Sequence, residues 1–313
     1  DLYIKGTMDI KRKNFILRYV PSMFRLQKGV RQYMVETYSD LHFTAPNIYD
    51  QKVKASMGTV HNSRGVPGML EYFNINLYSS TLLYDRLLSP LAKNGRKYYK
   101  YLIDSIMGGM DNRQYKIRFI PRSKSDQLVG GYMIVSSDVW SVREIRFSGR
   151  SELLLFSCLI KMGSVGKDDE FLPVSYNVEG QFNFLGNRIN GVYVASLNYH
   201  DIVLEENQNK WKEKVRARIK GKSKYDLSDS YNLQCETTSF HTDSAYFETL
   251  RPIPLSEAER RLYKEDALRK DTIQRNIKPK SKSQVFWGQV GDVLISDYKL
   301  NLSNLGRVKC SPL

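Results

Sequence analysis

The chain has 313 residues, with 48 Lys and Arg against 33 Asp and Glu, a formal net charge of +15. Hydrophobic residues make up 41% and aromatics 12%, enough for a packed core and too many for general disorder. Three cysteines exclude a dense disulfide framework, four histidines leave little room for histidine-based metal chemistry, and no apolar run reaches the roughly 18 residues of a membrane-spanning helix.

In chain order, Lys13–Arg25 (KNFILRYVPSMFR) reads as helical or irregular around Pro21. Arg31–Phe43 then alternates. Tyr33, Val35, Thr37, Ser39, Leu41 and Phe43 share one face, and Met34, Glu36, Tyr38, Asp40 and His42 the other. Such a period of two predicts a long, half-buried antiparallel strand. Within Leu77–Met107, Leu82, Leu83, Leu87, Leu88 and Leu91 suit a short buried helix ended near Ser89-Pro90. Tyr115, Ile117 and Phe119 alternate with Lys116 and Arg118 until Pro121 stops the strand. Leu128–Val135 and Trp140–Phe147 follow as two more strands across a turn-prone connection. Val174, Tyr176, Val178, Phe182 and Phe184 line one face of a long strand whose partner, Gly191–Asn198, returns after Leu-Gly-Asn-Arg.

Composition changes after Leu204. Lys210, Lys212, Lys214, Arg216, Arg218, Lys220, Lys222 and Lys224 occupy even positions, while Trp211, Val215, Ala217 and Ile219 fall between them. A strand with one basic face could meet an anionic membrane surface or an acidic partner. Lysines at alternate positions also suffice to guard a sheet edge against unwanted pairing. Nucleic acid is the weakest option, because no helix-turn-helix or RNP-type signature accompanies the charge. Further on, Ser256 with Glu259 forms a capping box that starts a charged helix with a thin apolar stripe. Lys278–Ser283 reads as a linker, and Val285–Leu300 as a last amphipathic segment.

Chemical signatures are sparse. The histidines do not cluster, HEXXH is absent, and Asp168-Asp169-Glu170 lacks the alternating ligands of a calcium loop. Gly108-Gly109 and Gly130-Gly131 match no phosphate-binding loop and suit tight turns or bulges. Twenty-one tyrosines, including Tyr98-Tyr99-Lys100-Tyr101, fit a sheet whose rings are buried while hydroxyls reach polar partners. No pattern calls for a catalytic centre, a metal or a cofactor.

YIKG at Tyr3–Gly6, LLSPLAKNGRKYYKY at Leu87–Tyr101, YKIRFIPR at Tyr115–Arg122, the Asp138-Val139-Trp140 strand start, LPVSYNVEGQFNFLG at Leu172–Gly186 and ETLRPIPLSEAE at Glu248–Glu259 together carry a resemblance. They resemble a large family of Bacteroidota outer-membrane proteins that go by the name carboxypeptidase-like regulatory domain-containing protein. The resemblance implies a small β-sandwich before this region and an outer-membrane β-barrel after it, so that the chain is the piece between them. The carboxypeptidase name belongs to the sandwich and implies no peptidase centre. Residues 114–200 also resemble the half-barrel of LolA/LolB-type lipoprotein carriers, which implies consecutive antiparallel strands curving around a helix-plugged apolar cavity.

The expected fold is therefore mainly β (α+β): a curved antiparallel sheet or half-barrel with inserted helices over residues 1–204. Residues 205–313 would supply the basic strand, a linker and the charged helix leading towards the barrel. The leading functional expectation is a non-enzymatic module at the periplasmic face of the outer membrane, binding a lipid, an apolar ligand or an outer-membrane client. Its cavity candidates are Phe119, Trp140, Tyr176, Phe182 and Phe184, and its anionic-surface candidates are Lys210, Lys212, Lys214, Arg216 and Arg218. A glycan-acting hydrolase, which would need paired carboxylates, and a structural spacer are the alternatives.

Overall fold

The computed structural model describes residues 1–13, 29–44, 48–59, 77, 80–82, 87–109, 112–137, 140–151, 154–165, 170–184, 186–202, 230–235 and 244–275. Its strands are β1 (Leu2–Arg12), β2 (Gln32–Thr44), β3 (Ile48–Gly58), β4 (Thr81–Leu82), β5 (Leu87–Leu88), β6 (Tyr99–Met107) and β7 (Gln114–Pro121). They continue as β8 (Gly130–Ser136), β9 (Val142–Ser151), β10 (Leu154–Val165), β11 (Glu170–Phe184), β12 (Asn187–Leu197) and β13 (Ser230–Cys235). Three helices accompany them: α1 (Gly95–Tyr98), α2 (Ser244–Leu250) and α3 (Glu257–Arg275).

Eleven strands form one sheet in the order β13-β3-β2-β1-β12-β11-β10-β9-β8-β7-β6. Every pairing is antiparallel except β13 with β3. From β6 to β12 the sheet is a simple meander, and the N-terminal strand β1 closes onto β12. The two chain ends of that seam are tied by Asp1 and Asn198, whose backbone groups exchange hydrogen bonds of 2.7 and 3.0 Å.

The strand expectations hold because alternation and register agree. Ile4, Ala195, Tyr176, Ile160, Ile145, Met133 and Ile117 face one another on successive strands, a row of apolar side chains crossing the sheet. The hairpin expected between Val174–Phe184 and Gly191–Asn198 is β11–β12, with Val178 opposite Tyr193. The sheet is strongly curved. Tyr49 on β3 and Tyr176 on β11 lie four strand spacings apart, about 19 Å along a flat sheet. Yet both belong to one buried cluster, and Tyr49 lies near enough to help raise the Tyr176 phenol. The curved antiparallel half-barrel is thus the fold of the described residues.

One expectation fails locally. Leu82, Leu87 and Leu88 are not helical: Leu82 and Leu87 face each other across the two-residue strands β4 and β5, while Leu83 lies outside the described residues. Helical backbone is disfavoured before Pro90, and Leu82 and Leu87 are instead buried from two short paired strands. Of the glycine pairs, Gly108 makes the β6–β7 turn at φ +85°, and Gly131 lies where a Cβ would sit 2.0 Å from the Arg146 carbonyl oxygen.

The segment after β12 returns to the same sheet. Helices α2 and α3 lie against the outer face, on β3 and β2 respectively. The capping box starts α3 where expected. The Glu259 amide donates to Ser256 Oγ at 3.3 Å, and the Ser256 amide donates to Glu259 Oε2 at 2.8 Å.

Candidate apolar ligand site

Most of the concave face is apolar, with Gln51 on β3 donating to Ser39 Oγ on β2 as a buried polar pair at 2.9 Å. Leu2 and Ile4 on β1, Tyr49 on β3, Tyr176 and Val178 on β11, Cys158 and Ile160 on β10, Ile145 and Phe147 on β9 and Phe119 on β7 belong to one buried cluster. A second, smaller cluster of Ile10, Val30, Tyr33 and Ile189 continues the same face of β1 and β12. Burial removes water from every polar group in this interior. Desolvation pushes the Cys158 thiol up to about 12, leaving it protonated and inert as a nucleophile. Desolvation, followed by the neighbouring Tyr199, Tyr49 and Cys158, raises the Tyr176 phenol well above its ordinary value.

A leucine plug fills the concavity. Leu77, Leu82 and Leu87 are buried in the main cluster, with Leu88 and Leu91 packed against it. Each fully buried leucine is worth about 1.5–3 kcal/mol of transfer free energy. Polar tethers fix the plug at one end. Tyr99 donates its hydroxyl to the Leu88 carbonyl at 2.6 Å and accepts from the Val129 amide at 3.2 Å. Tyr101 donates to the Pro90 carbonyl at 2.6 Å. Gly95 permits this approach, since a Cβ there would lie 2.8 Å from the Tyr101 hydroxyl and 2.9 Å from the Pro90 oxygen. Among the described residues the plug thus comprises Leu77, the separate β4–β5 pair and Leu91, held by two phenolic tethers.

On the opposite, outer face a buried carboxylate anchors the C-terminal helices. Glu36 is fully buried, and its Oε1 accepts from Tyr3 Oη and from Arg251 Nε at 2.8 Å. Its Oε2 accepts from Arg251 Nη2 at 3.0 Å and Tyr263 Oη at 2.7 Å. Lys5 extends the cluster through an ion pair with Glu259 at 3.0 Å. Burial, then the hydrogen bond and charge of Glu36, raise the Tyr3 phenol. Burial, then the charge and hydrogen bond of Glu36, do the same for Tyr263. Four donors satisfy one carboxylate, so this cluster is a latch that holds α2 and α3 to the sheet.

Two open grooves also lie on the outer side. One, about 420 Å³, runs between β1 and α3 past Asp9, Lys11, Arg31, Leu262, Glu265 and Arg269. Its carboxylates are engaged: Asp9 pairs with Lys11 at 2.7 Å and Glu265 with Arg269 at 2.8 Å. The other, about 700 Å³, is lined by Arg150, Leu155, Glu179, Gln181, Asn190 and Val192 among others and holds a single carboxylate. Neither groove sets two unengaged carboxylates across from each other, the arrangement a glycan hydrolase needs. Among the described residues no three His, Cys, Asp or Glu side chains gather as a metal site.

A family model matches residues 1–200. The chain belongs to the family of unknown function DUF5686. No curated protein matches it. Among solved structures, this DUF5686 chain is similar to a LolA superfamily protein, NE2245 from Nitrosomonas europaea, at 9% identity and a TM-score of 0.21, over 64% of this chain and 87% of that one. It is also similar to a DUF1329 family protein from Desulfovibrio piger ATCC 29098, at 12% identity and a TM-score of 0.24, over 66% and 87%. MucB in complex with MucA(peri) is similar at 9% identity and a TM-score of 0.14, over 63% and 89%. At such scores the fold assignment rests on strand order and register alone.

The structure brings only part of the expected cavity set into the DUF5686 interior. Phe119 and Tyr176 are fully buried there, Phe119 edge-on to Tyr99 with ring centroids 6.1 Å apart. Phe182 sits against the smaller cluster. The backbone of Phe184 pairs with Asn187 at the end of β11, and its side chain lies outside the described set. Trp140 is a correction. It is 66% exposed at φ +53° and stacks on Tyr115 outside the core, because β9 begins only at Val142 and strand parity does not reach back to residue 140. Lys210, Lys212, Lys214, Arg216 and Arg218 lie outside the described residues. Sequence reasoning missed the phenolic tethers and the Glu36 latch. Yet Tyr3, Lys5, Arg251 and Glu259 all fall within the YIKG and ETLRPIPLSEAE segments that carry the family resemblance.

Proposed function

We propose that this chain is a non-enzymatic module of the cell envelope that holds an apolar chain, such as a lipid acyl group, in the concavity of its half-barrel. The observation that carries this reading is the leucine plug. Leu77, Leu82, Leu87, Leu88 and Leu91, all from outside the main sheet, pack with the sheet's own apolar side chains in one buried cluster. Such a filler can move aside and let another apolar chain take its contacts at little net cost. The family resemblance supports a position at the periplasmic face of the outer membrane, tethered to a barrel in the same polypeptide. It also supports an anionic membrane surface as the neighbour of the basic segment Lys210–Lys224.

The purely structural spacer is the second reading, favoured by the close packing of the plug against Tyr99, Phe119 and Val129. Titration with a dansylated fatty acid separates the two. The ligand-holding reading predicts saturable fluorescence enhancement that unlabelled laurate competes away. A chain that gives no enhancement at any concentration below the probe's micelle threshold would be the spacer.

A further inference from the structure

Strand β6 ends the sheet, and among the described residues no strand pairs with its outer edge. Beyond the buried Tyr99, it exposes apolar side chains on both faces. Ile103 is 63% and Ile106 58% exposed, and Leu102, with the neighbouring Tyr98 and Ile120, is exposed as well. Sheet edges are normally blunted by charged side chains, prolines, bulges, short length or a covering element. This edge is nine residues long and carries one charge of each sign, Lys100 and Asp104.

The spacing of those charges is self-complementary. In an antiparallel pairing of two copies with Leu102 on the two-fold axis, Lys100 of each copy stands opposite Asp104 of the other. The same register sets Tyr101 against Ile103 and Leu102 against its own equivalent. Directly opposed residues share a face, so both charges fall on the outer face and Tyr101 with Ile103 on the inner one. A bulge between Ile103 and Ser105 leaves Asp104 as the extra residue, so the regular ladder spans Tyr101–Ile103 with a Lys100–Asp104 pair at each end. Asp104 is held ready by Arg118, whose Nε lies 2.9 and 3.0 Å from its two oxygens. A carboxylate retains acceptor capacity for a lysine beyond such a pair.

We infer that β6 is the interface of a two-fold dimer in which the Lys100–Asp104 edges of two copies pair antiparallel about Leu102, joining the half-barrels into one continuous sheet. The short ladder makes this a reversible association, sensitive to concentration and to salt.

Sedimentation velocity on the full chain over a concentration series tests it, alongside oxidative cross-linking in a Cys235→Ser/Cys310→Ser background. Expected are a concentration-dependent dimer, a dissociation constant weakened about tenfold by Lys100→Glu through two like-charge contacts, and a disulfide-linked dimer from Leu102→Cys. Lys100→Cys should not cross-link to itself, because four residues of strand separate the two sulfurs by about 13 Å. These side chains are exposed, so melting temperatures should match wild type and confirm that each variant folds. A monomer at every concentration would overturn the proposal, including one that instead pellets with anionic vesicles or captures an extended peptide. So would a dimer indifferent to Lys100→Glu, or one that cross-links equally at residues 100 and 102.

Discussion

Arg251 grips Glu36 through two parallel hydrogen bonds, Nε to Oε1 at 2.8 Å and Nη2 to Oε2 at 3.0 Å, joining residues 215 positions apart in the chain. Both side chains are almost wholly out of water. Removing one partner of such a pair leaves an uncompensated buried charge and costs about 3–5 kcal/mol. Glu36→Gln is therefore expected to lower stability to urea by that amount. Tyr263→Phe, which removes one donor from a satisfied carboxylate, should cost about 1.5–3 kcal/mol. Equal losses for the two variants would contradict the assignment of the charge pair as the latch's centre.

Acid should weaken the same face. Burial tends to raise the Glu259 carboxyl, but the Ser256 amide, Lys5 and the Ser256 hydroxyl outweigh it and hold the group below its ordinary value. A depressed folded pKa means the contribution is complete above the unfolded value of about 4.3 and is lost as pH falls through the folded one. Wild type is expected to lose stability below about pH 4.3 more steeply than Glu259→Gln. Parallel acid limbs in the two proteins would show that Lys5 and Ser256 do not hold the carboxylate.

Alkali acts on the opposite sign. Burial, as the largest cause, raises the phenols of Tyr3, Tyr176, Tyr199 and Tyr263. Groups with raised folded values stabilise fully below their unfolded pKa, about 10 for tyrosine, and lose that contribution above it. Thermal melting should hold steady up to about pH 10 and fall beyond it. Spectrophotometric titration should show these phenols ionising only as the chain unfolds. Cys158 gives a parallel readout: in a Cys235→Ser/Cys310→Ser protein, a thiol reagent should react only after denaturant is added.

Legibility followed the two-sidedness of each strand. Strand β11 was plain in the sequence because polar and apolar residues alternate from Val174 on, as at Tyr176–Asn177–Val178–Glu179, and β2 showed the same period less strictly. Strand β10 was not, because Leu155 and Leu159 face outward while Phe156, Cys158 and Ile160 face inward, and an apolar run on both faces has no period of two. The plug looked helical because leucines three to five apart fit a helix stripe as well as they fit two short paired strands. Glu36 read as an ordinary polar-face residue. Periodicity shows which face a residue occupies, and says nothing of a helix over 200 residues later that covers that face. Trp140 was misplaced by carrying strand parity past the start of its strand.

The most direct test of the interior as a binding site is the affinity of a dansylated fatty acid for wild type and for Tyr101→Phe. The hydroxyl of Tyr101 tethers the plug at the Pro90 carbonyl. Its loss removes about 1 kcal/mol from the plugged state, which raises the open fraction and tightens apparent binding about fivefold. That increase, with the same stoichiometry in both proteins, is the predicted result. Binding by neither protein, or the same affinity in both, would contradict a ligand that enters by displacing the leucine plug.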